Sequence, residues 1–584
     1  MDNTAVSAMF DEFADWLEIE DENPFRVRAY RRAAQVVRDL TEDVAQVAAE
    51  GRLTQIEGIG KDLANKIAEF LKTGKVAALE EVRGKYPPTL RELLAVPDVG
   101  PKTVALLYKR LNVSNLDELE EAAKAGKLAE LPRLGKKTQE NILRGIQLLK
   151  QSAGRVPIDT ALHIVEGIVT ELKKLKSVQQ ITPAGSLRRW RETIGDIDVL
   201  ATTSTEASAA VMDKFVHLPG VTEILDHGET KSSVIMVVDA RRQYSVQVDL
   251  RVVPPDSFGA ALQYFTGSKD HNITLRSRAL KRGLTINEYG VFEEKTGKQV
   301  AGATEEDVYA ALGLPLIPPE MRENRGEIEA AAEGKLPDLI DLPAMRGELH
   351  SHSTYSDGHS TIAEMADAAR ARGYEYLAVT DHSKALAWGI DEKTLLKQIK
   401  EIRQLNEKYK NFRLLTGCEV DILSDGRLAM DAEVLQQLDV VIASVHSNFK
   451  QSREAMTQRM IRAMETGLVD IVAHPTGRLV AQREGYDVDV AALIETAKRL
   501  GIALEINAHP DRLDLNDLHA RAAKNAGITL AINTDAHAPS HLDLLRFGIH
   551  TARRAWVEKK DVLNTKPLGD LLQWLKQRRG GVIR

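Results

Sequence analysis

Cysteine is almost absent from this chain. A single residue in 584, Cys418, excludes an intrachain disulfide framework and fits a reducing compartment. Long apolar runs are absent too. No stretch reaches the ~18 consecutive apolar residues of a membrane span, so no membrane partner is expected. Met1 to Glu20 is acidic and lacks the basic start of a secretory signal, so a cytoplasmic location is expected. Positive charge is not in excess. The net charge of -7 argues against a polycation that coats nucleic acid with its whole surface.

What is present is enough for several cores. Apolar residues are 43% and charged residues 28%, and at ~150 residues per domain the length allows roughly four domains. Two asymmetries stand out. Residues 1–345 sum to -8 and 346–584 to +1, yet residues 131–192 alone sum to +7. Of the 15 histidines, 11 lie after position 340.

Residues 1–85 read as helical, with apolar residues at helical spacing from Ala5 to Leu17. Residues 86–155 continue helical, broken by Gly and Pro turns. Strand signals begin near 181 and include Ser233–Val238 and the alternating Ser245–Val252. A small mixed unit runs to 318, and residues 319–345, rich in Pro, Glu, Gly and Ala, read as a linker. From 346 to 584, short apolar strands alternate with helical stretches, which predicts a β/α barrel.

Three similar segments occur in the helical part: Ile56-Glu-Gly-Ile-Gly-Lys61, Val96-Pro-Asp-Val-Gly-Pro101 and Leu131-Pro-Arg-Leu-Gly-Lys136. A glycine at a helix start exposes backbone N–H groups, and the helix dipole adds positive potential, so a phosphate can be held without reading a base. Gly58, Gly60, Gly100, Gly135 and Lys136 are therefore candidate DNA contacts. The segments resemble the helix-hairpin-helix motif of DNA repair proteins. Asp98 and Arg133 replace the first glycine in the second and third copies.

The sharpest signal of the first half is Gly185-Ser-Leu-Arg-Arg-Trp-Arg-Glu-Thr-Ile-Gly-Asp-Ile-Asp198. Asp196 and Asp198 are two apart, so on a strand they face one side. With Asp249 on the alternating strand they could bridge two Mg²⁺ ions at the ~3.5–4 Å separation of two-metal phosphoryl transfer. Gly185 and Ser186 can approach a triphosphate, and Arg189 can neutralise its charge.

On these residues the region 1–318 resembles a family X DNA polymerase, similar to DNA polymerase beta. Tyr264-Phe-Thr-Gly-Ser268, with Tyr264, Phe265 and Gly267, is similar to the family's nucleotide-pocket turn. Asn272 matches its contact to the incoming nucleotide, Arg276 its template-side contact, and Arg155 a triphosphate-binding arginine. Lys269 stands where the beta enzyme has an acidic residue, which implies an altered charge against the nucleotide. The resemblance implies a helical lyase-like domain at 1–85, a helical fingers-type domain at 86–155, a nucleotidyltransferase palm with a mixed sheet at 156–257 and a thumb at 258–318. It also implies that Asp196 and Asp198 hold both metals, that Asp249 joins the metal at the primer 3′-hydroxyl, and that Ser186 and Arg189 bind the β- and γ-phosphates. The substrates are then deoxynucleoside triphosphates and gapped or nicked DNA, and a monomer is expected.

The beta-type small domain also removes a 5′-deoxyribose phosphate through a Schiff-base lysine. Lys66 falls on that position, and Tyr30 and Arg26 match pocket positions. A nucleophilic lysine needs burial or nearby positive charge. Asp62 replaces one supporting lysine, and a carboxylate favours the charged ammonium instead.

The late histidines fall at the ends of apolar strands: His350-Ser-His352, Asp381-His382, Glu419, His446, His474 and Asp535-Ala-His537. Strand C-termini of a β/α barrel converge on one face. His with Asp and Glu suits Zn²⁺, Mn²⁺ or Fe²⁺ rather than Ca²⁺. The series resembles the PHP (polymerase and histidinol phosphatase) domain, over 346 to about 560. The resemblance implies nine ligands for three Mn²⁺ or Zn²⁺ ions: His350, His352, Asp357, His382, Glu419, His446, His474, Asp535 and His537, with Glu419 and Asp535 at bridging positions. Such a cluster would polarise a phosphate and activate water. Cys418, beside Glu419, faces the other way on a strand and reads as core.

The joined architecture resembles a bacterial-type family X polymerase with a C-terminal PHP domain. That implies gap filling plus 3′-end processing: 3′–5′ exonuclease, 3′-phosphatase and, in some members, abasic-site endonuclease. A phosphoesterase whose polymerase half only presents gapped DNA is the alternative, and the intact aspartate set counts against it. A non-catalytic end-binding scaffold is a third reading, against which the complete histidine series counts.

Overall fold

The computed structural model describes residues 3–39, 44–56, 58–96, 99–132, 134–151, 155–239 and 244–580. Asp98 and Arg133, the departures from the glycine pattern, lie outside them. The chain divides into two units, Met1–Ala153 with Ala481–Arg483, and Gly154–Val480 with Glu484–Arg584.

The first unit is helical. In the helix Asn3–Ile19 the apolar spacing places Val6, Met9, Phe10, Phe13, Trp16 and Leu17 on one buried stripe. Each such burial contributes roughly 1.5–3 kcal/mol. The stripe packs on helix Pro24–Asp39, with the Phe13 and Tyr30 rings 4.5 Å apart. Helices Lys61–Thr73, Pro101–Leu111 and Lys136–Gln151 each begin directly after a glycine of the repeated turns.

The second unit opens with a five-stranded mixed sheet in the order Gln180–Pro183, Asp196–Thr202, Tyr244–Val252, Lys231–Asp239, Val221–His227. Only the second and third of these run parallel. The alternation in Tyr244–Val252 is what was expected: Val246, Val248 and Leu250 are buried, and Gln247 and Asp249 face the other side. A three-stranded meander, Leu284–Asn287, Gly290–Glu293 and Gln299–Ala301, follows among the helices Phe258–Thr266, Lys269–Leu280 and Glu305–Ala311.

Residues 319–345, expected as a linker, are folded instead. They contain the helix Glu327–Ala332 and short turns at Pro319–Met321 and Leu342–Ala344. Met321, Ile328 and Ala331 join the core that holds Leu275 and Tyr309. The charged residues of this segment are paired as well. Glu320 accepts from Arg553 Nε at 2.7 Å, Glu323 from Arg554 Nη1 at 3.0 Å, and Arg325 donates to Asp517 at 2.9 Å. Composition resembled a linker because these charges look solvated until their distant partners are placed.

The C-terminal part is a seven-stranded parallel sheet in strict chain order, from Gly347–Glu348 through Tyr376–Val379, Arg413–Asp421, Val440–Ser444, Ile471–Val472 and Ala503–Asn507 to Leu530–Asn533. A parallel bridge between Ser351 and Ala536 joins the ends of the first and last strands, with His352 N donating to Ala536 O at 2.8 Å. The ring is thus nearly closed, as the β/α rhythm predicts. The strands carry continuous apolar runs because helices cover their outer face. Cys418 is fully buried within this core, as expected. Among the described residues no helix is long and apolar enough to cross a membrane.

Candidate active sites

In the mixed sheet, Asp198 lies directly opposite Asp249 on the neighbouring parallel strand, and Asp196 precedes it by one pleat. The three carboxylates therefore share one face of the sheet, where the two-residue spacing predicts Asp196 and Asp198. Burial pushes the Asp198 carboxyl up to about 7, and the charges of Asp196 and Asp249 add to the shift. Three clustered carboxylates with this mutual repulsion fit divalent cations. Gln247 Nε2 donates to Asp249 Oδ1 at 2.9 Å, and Lys231 Nζ stands 3.8 Å from Asp249 Oδ2.

Gly185 sits directly against the carboxylates. Its φ is +61°, and a Cβ there would come within 2.4 Å of Asp198 Oδ2. Ser186 Oγ is buried without a hydrogen-bond partner among the described residues, as suits a hydroxyl that meets a ligand oxygen. Arg155 donates from Nε to Thr193 Oγ1 at 3.0 Å, beside the carboxylates. Arg189 is already engaged: Nε donates to Glu323 at 3.1 Å and Nη1 to the Thr266 carbonyl.

The expected nucleotide-pocket residues form one continuous patch. Asn272 Nδ2 donates to the Tyr264 carbonyl at 2.8 Å, Arg276 lies over the Tyr264 ring at 5.8 Å, and Phe265 packs edge-on to Tyr264 at 5.1 Å. Gly267 lies beside the Arg189 guanidinium. Lys269 starts the next helix and is exposed.

At the barrel's strand ends three groups of metal-competent donors form: His352 with Asp357, His382 and His537; His350 with His352, Glu419 and Asp535; and His382 with Glu419 and His446. Eight of the nine expected residues are in these groups. The ninth, His474, stands with Nε2 3.0 Å from Glu419 Oε1. Glu419 is shared between two groups, as a bridging position requires. Asp535, also expected to bridge, belongs to one, and His352 and His382 are the other shared members.

The donor set fits metal ions. Among the described residues Nε2 of His350, Nδ1 of His352, Nδ1 of His382 and Oε2 of Glu419 are buried without hydrogen-bond partners. Burial pushes the His352 imidazole down to about 3, with His537 and His382 adding to the effect, so it stays a neutral ring able to ligate.

Compared with known proteins, the chain is 41% identical to the DNA polymerase/3′–5′ exonuclease PolX of Bacillus subtilis (strain 168), over 98% of this chain and 99% of that protein. The chain belongs to the family X DNA polymerases. Family models agree by region: a helix-hairpin-helix domain over 1–76, a SAM-like helix-hairpin-helix tandem over 90–147, a DNA polymerase beta thumb over 261–323 and a PHP domain over 348–509. The C-terminal part is also 29% identical to a probable phosphatase of Thermoanaerobacter sp. (strain X514), over 40% of this chain and 95% of that protein. A probable phosphatase of Shewanella sp. (strain MR-4) matches at 29%, over 40% of this chain and 91% of that protein.

In this family X polymerase the helix-hairpin-helix turns leave open space at the expected contacts. Among the described residues Gly60, Gly100 and Gly135 have no neighbour within 4 Å of a Cβ position, and Lys136 is exposed. Gly58 differs, because Arg32 Nε would be 3.1 Å from its Cβ. Lys66 Nζ donates to Asp62 Oδ1 at 2.6 Å and lies 5.9 Å from the Tyr30 ring centroid, so the carboxylate noted in the sequence does meet the candidate lysine.

Several residues of the PHP site were given no role by sequence reasoning. Glu505 accepts from His350 Nδ1 at 2.8 Å, and Asp421 faces His446 Nδ1 at 3.1 Å. Such partners fix the ring orientation of a ligating histidine. Glu348, pushed up to about 7 by burial, accepts from Thr534 Oγ1 at 2.7 Å and from His350 N at 3.0 Å, which ties the first and last strands together. Arg512 Nε stands 3.6 Å from Asp535 Oδ2. Glu505 and Asp421 were visible as acidic residues at strand ends, but nothing local marks which histidine each one holds.

Proposed function

We propose that this polymerase is a DNA repair enzyme that fills short gaps and trims 3′ ends with its PHP domain. The observation that carries this reading is the coexistence of a complete aspartate triad and a complete donor set in one chain that covers 99% of a polymerase/exonuclease relative. In the palm, Asp196, Asp198 and Asp249 would hold Mg²⁺, which supplies charge neutralisation for in-line displacement at the α-phosphate. Gly185 lets the chain approach the triphosphate, and Ser186 Oγ donates to its oxygens. Arg155 and Arg189 lend positive charge. Tyr264, Phe265 and Gly267 shape the sugar and base pocket, with Lys269, Asn272 and Arg276 around it.

In the PHP domain, His350, His352, Asp357, His382, Glu419, His446, His474, Asp535 and His537 would hold three Mn²⁺ or Zn²⁺ ions. These ions supply Lewis-acid polarisation of a phosphodiester and an activated water. The substrate would be gapped or nicked DNA, bound by a cytoplasmic monomer through the helix-hairpin-helix turns. Lys66 is the residue through which any 5′-deoxyribose phosphate removal would run.

Primer extension and primer degradation on one gapped substrate test this. Replacing Asp196 and Asp198 by Ala should abolish extension and spare degradation. Replacing His350 or His446 by Ala should do the reverse. Degradation that survives joint loss of His350, His352 and Asp535 would overturn the PHP assignment.

A further inference from the structure

We infer that the PHP helix Leu545–Arg554 is a working part of the polymerase nucleotide site, with Arg554 and His550 acting as positioning residues for the phosphate-binding turn. The inference rests on the proposed role of Ser186 and Arg189 at the triphosphate.

The turn has little regular structure of its own. Its helix, Gly185–Arg188, is a single turn, Arg189 caps it, and Trp190 takes a φ of +54°. Its backbone hydrogen bonds, from Arg188 N to the Ala184 carbonyl through Arg191 N to the Ser186 carbonyl, close only on the loop itself. The PHP domain adds a constraint from outside it. The Trp190 ring stacks on His550 with centroids 3.5 Å apart and planes 6° from parallel. Arg554 Nη1 donates to the Arg189 carbonyl at 2.7 Å and to Glu323 Oε1 at 3.0 Å. That same Glu323 oxygen accepts from Arg189 Nε. On the far side of the loop, Arg478 Nη2 donates to Glu192 Oε2 at 2.7 Å.

These contacts are sheltered. The Arg554, Glu323 and Arg189 side chains are 5%, 12% and 13% exposed, so salt and water weaken the charge-assisted bonds little. They also differ from ordinary domain adhesion in where they fall. The anchored atoms are the carbonyl of Arg189 and the ring of its neighbour, four and five positions from Gly185, not a remote surface of the palm. A change in the PHP helix is therefore felt at the triphosphate.

The test uses full-length protein on gapped DNA, with KM for deoxynucleoside triphosphate, kcat and 3′-end degradation measured on each preparation. Arg554→Ala is expected to raise KM about tenfold, with kcat within about threefold and degradation unchanged. Trp190→Ala should do the same, and Trp190→Phe, which keeps a ring against His550, should return KM to within about twofold of the parent. If Arg554→Ala fails to fold, the Trp190 pair decides. KM unmoved in these variants, or extension and degradation falling together, would overturn the inference and leave simple domain adhesion. A parent protein that extends no primer at all would overturn the polymerase reading itself, and this inference with it.

Discussion

Glu505 accepts a hydrogen bond from Nδ1 of His350 at 2.8 Å and thereby turns Nε2 of the same ring toward Glu419, 3.2 Å away. The carboxylate also accepts from Asn533 Nδ2 and from the backbone N–H of His474. Glu505→Gln would turn an NH₂ group toward one of these donors. We expect 3′-end degradation to fall about 10- to 100-fold while primer extension is unchanged. Equal loss of both activities would show that Glu505 supports the fold rather than His350.

Gly185→Ala is the matching test in the palm. The new methyl group would overlap Asp198 Oδ2, and a φ of +61° strains any residue with a Cβ. Extension should fall by more than about 100-fold, near 3 kcal/mol of transition-state stabilisation. Degradation, measured on the same preparation, should be retained.

Metal removal should loosen the barrel. The three donor groups place Asp357, Glu419 and Asp535 among the histidines at the strand ends, where bound cations would neutralise them. An ion at 100 times its Kd stabilises the folded state by about 2.7 kcal/mol, so chelation should lower Tm by roughly 5–10 °C. Mn²⁺ or Zn²⁺ should restore it. The variant carrying both His350→Ala and Asp535→Ala, which breaks one of the three groups, should show a smaller metal-dependent shift, and a parent Tm indifferent to chelator would refute the metal set.

Acid should part the joint between the thumb segment and the PHP helix. Glu320, although buried, is held down to about 2 by hydrogen bonds from His550 and Arg553 and by the Arg553 charge. Burial lowers His550 below its ordinary range, so it donates as a neutral ring and Arg553 is the charge partner. A depressed carboxyl stabilises the fold fully above its ordinary value near 4.5 and progressively less as pH falls toward 2. The contribution lost is on the order of 3 kcal/mol. Glu320→Gln should therefore lower stability at pH 7 but flatten the loss between pH 4.5 and 2, read from denaturant midpoints.

Lys66 tests the small domain. Its Nζ is held by Asp62 Oδ1 at 2.6 Å, and a nitrogen so engaged is not free to attack a sugar carbon. Borohydride trapping with incised abasic DNA should give more covalent adduct in Asp62→Asn than in the parent, and none in either background once Lys66 is replaced by Ala. An adduct that persists without Lys66 would remove it as the Schiff-base lysine.

Much of both sites was legible in the sequence. Asp196 and Asp198 could be paired because a strand has period two, Asp249 was added through the family resemblance, and the structure sets Asp198 opposite Asp249 on neighbouring strands. The histidine series could be read as one cluster because parallel strands of a barrel end on a common face, and the ring closure from Ser351 to Ala536 completes that face. The linker reading of 319–345 failed for the opposite reason. Glu320, Glu323 and Arg325 pair with residues about 200 positions away.

The sequence by itself determined the kind of chemistry, since the type and local spacing of the donors suit divalent cations and phosphate oxygens. Tertiary structure alone decided how those donors are held. Glu505 on His350 spans 155 positions and Arg554 on Arg189 spans 365. No local pattern encodes such pairs, because each exists only after packing has brought two independently formed elements within hydrogen-bonding distance.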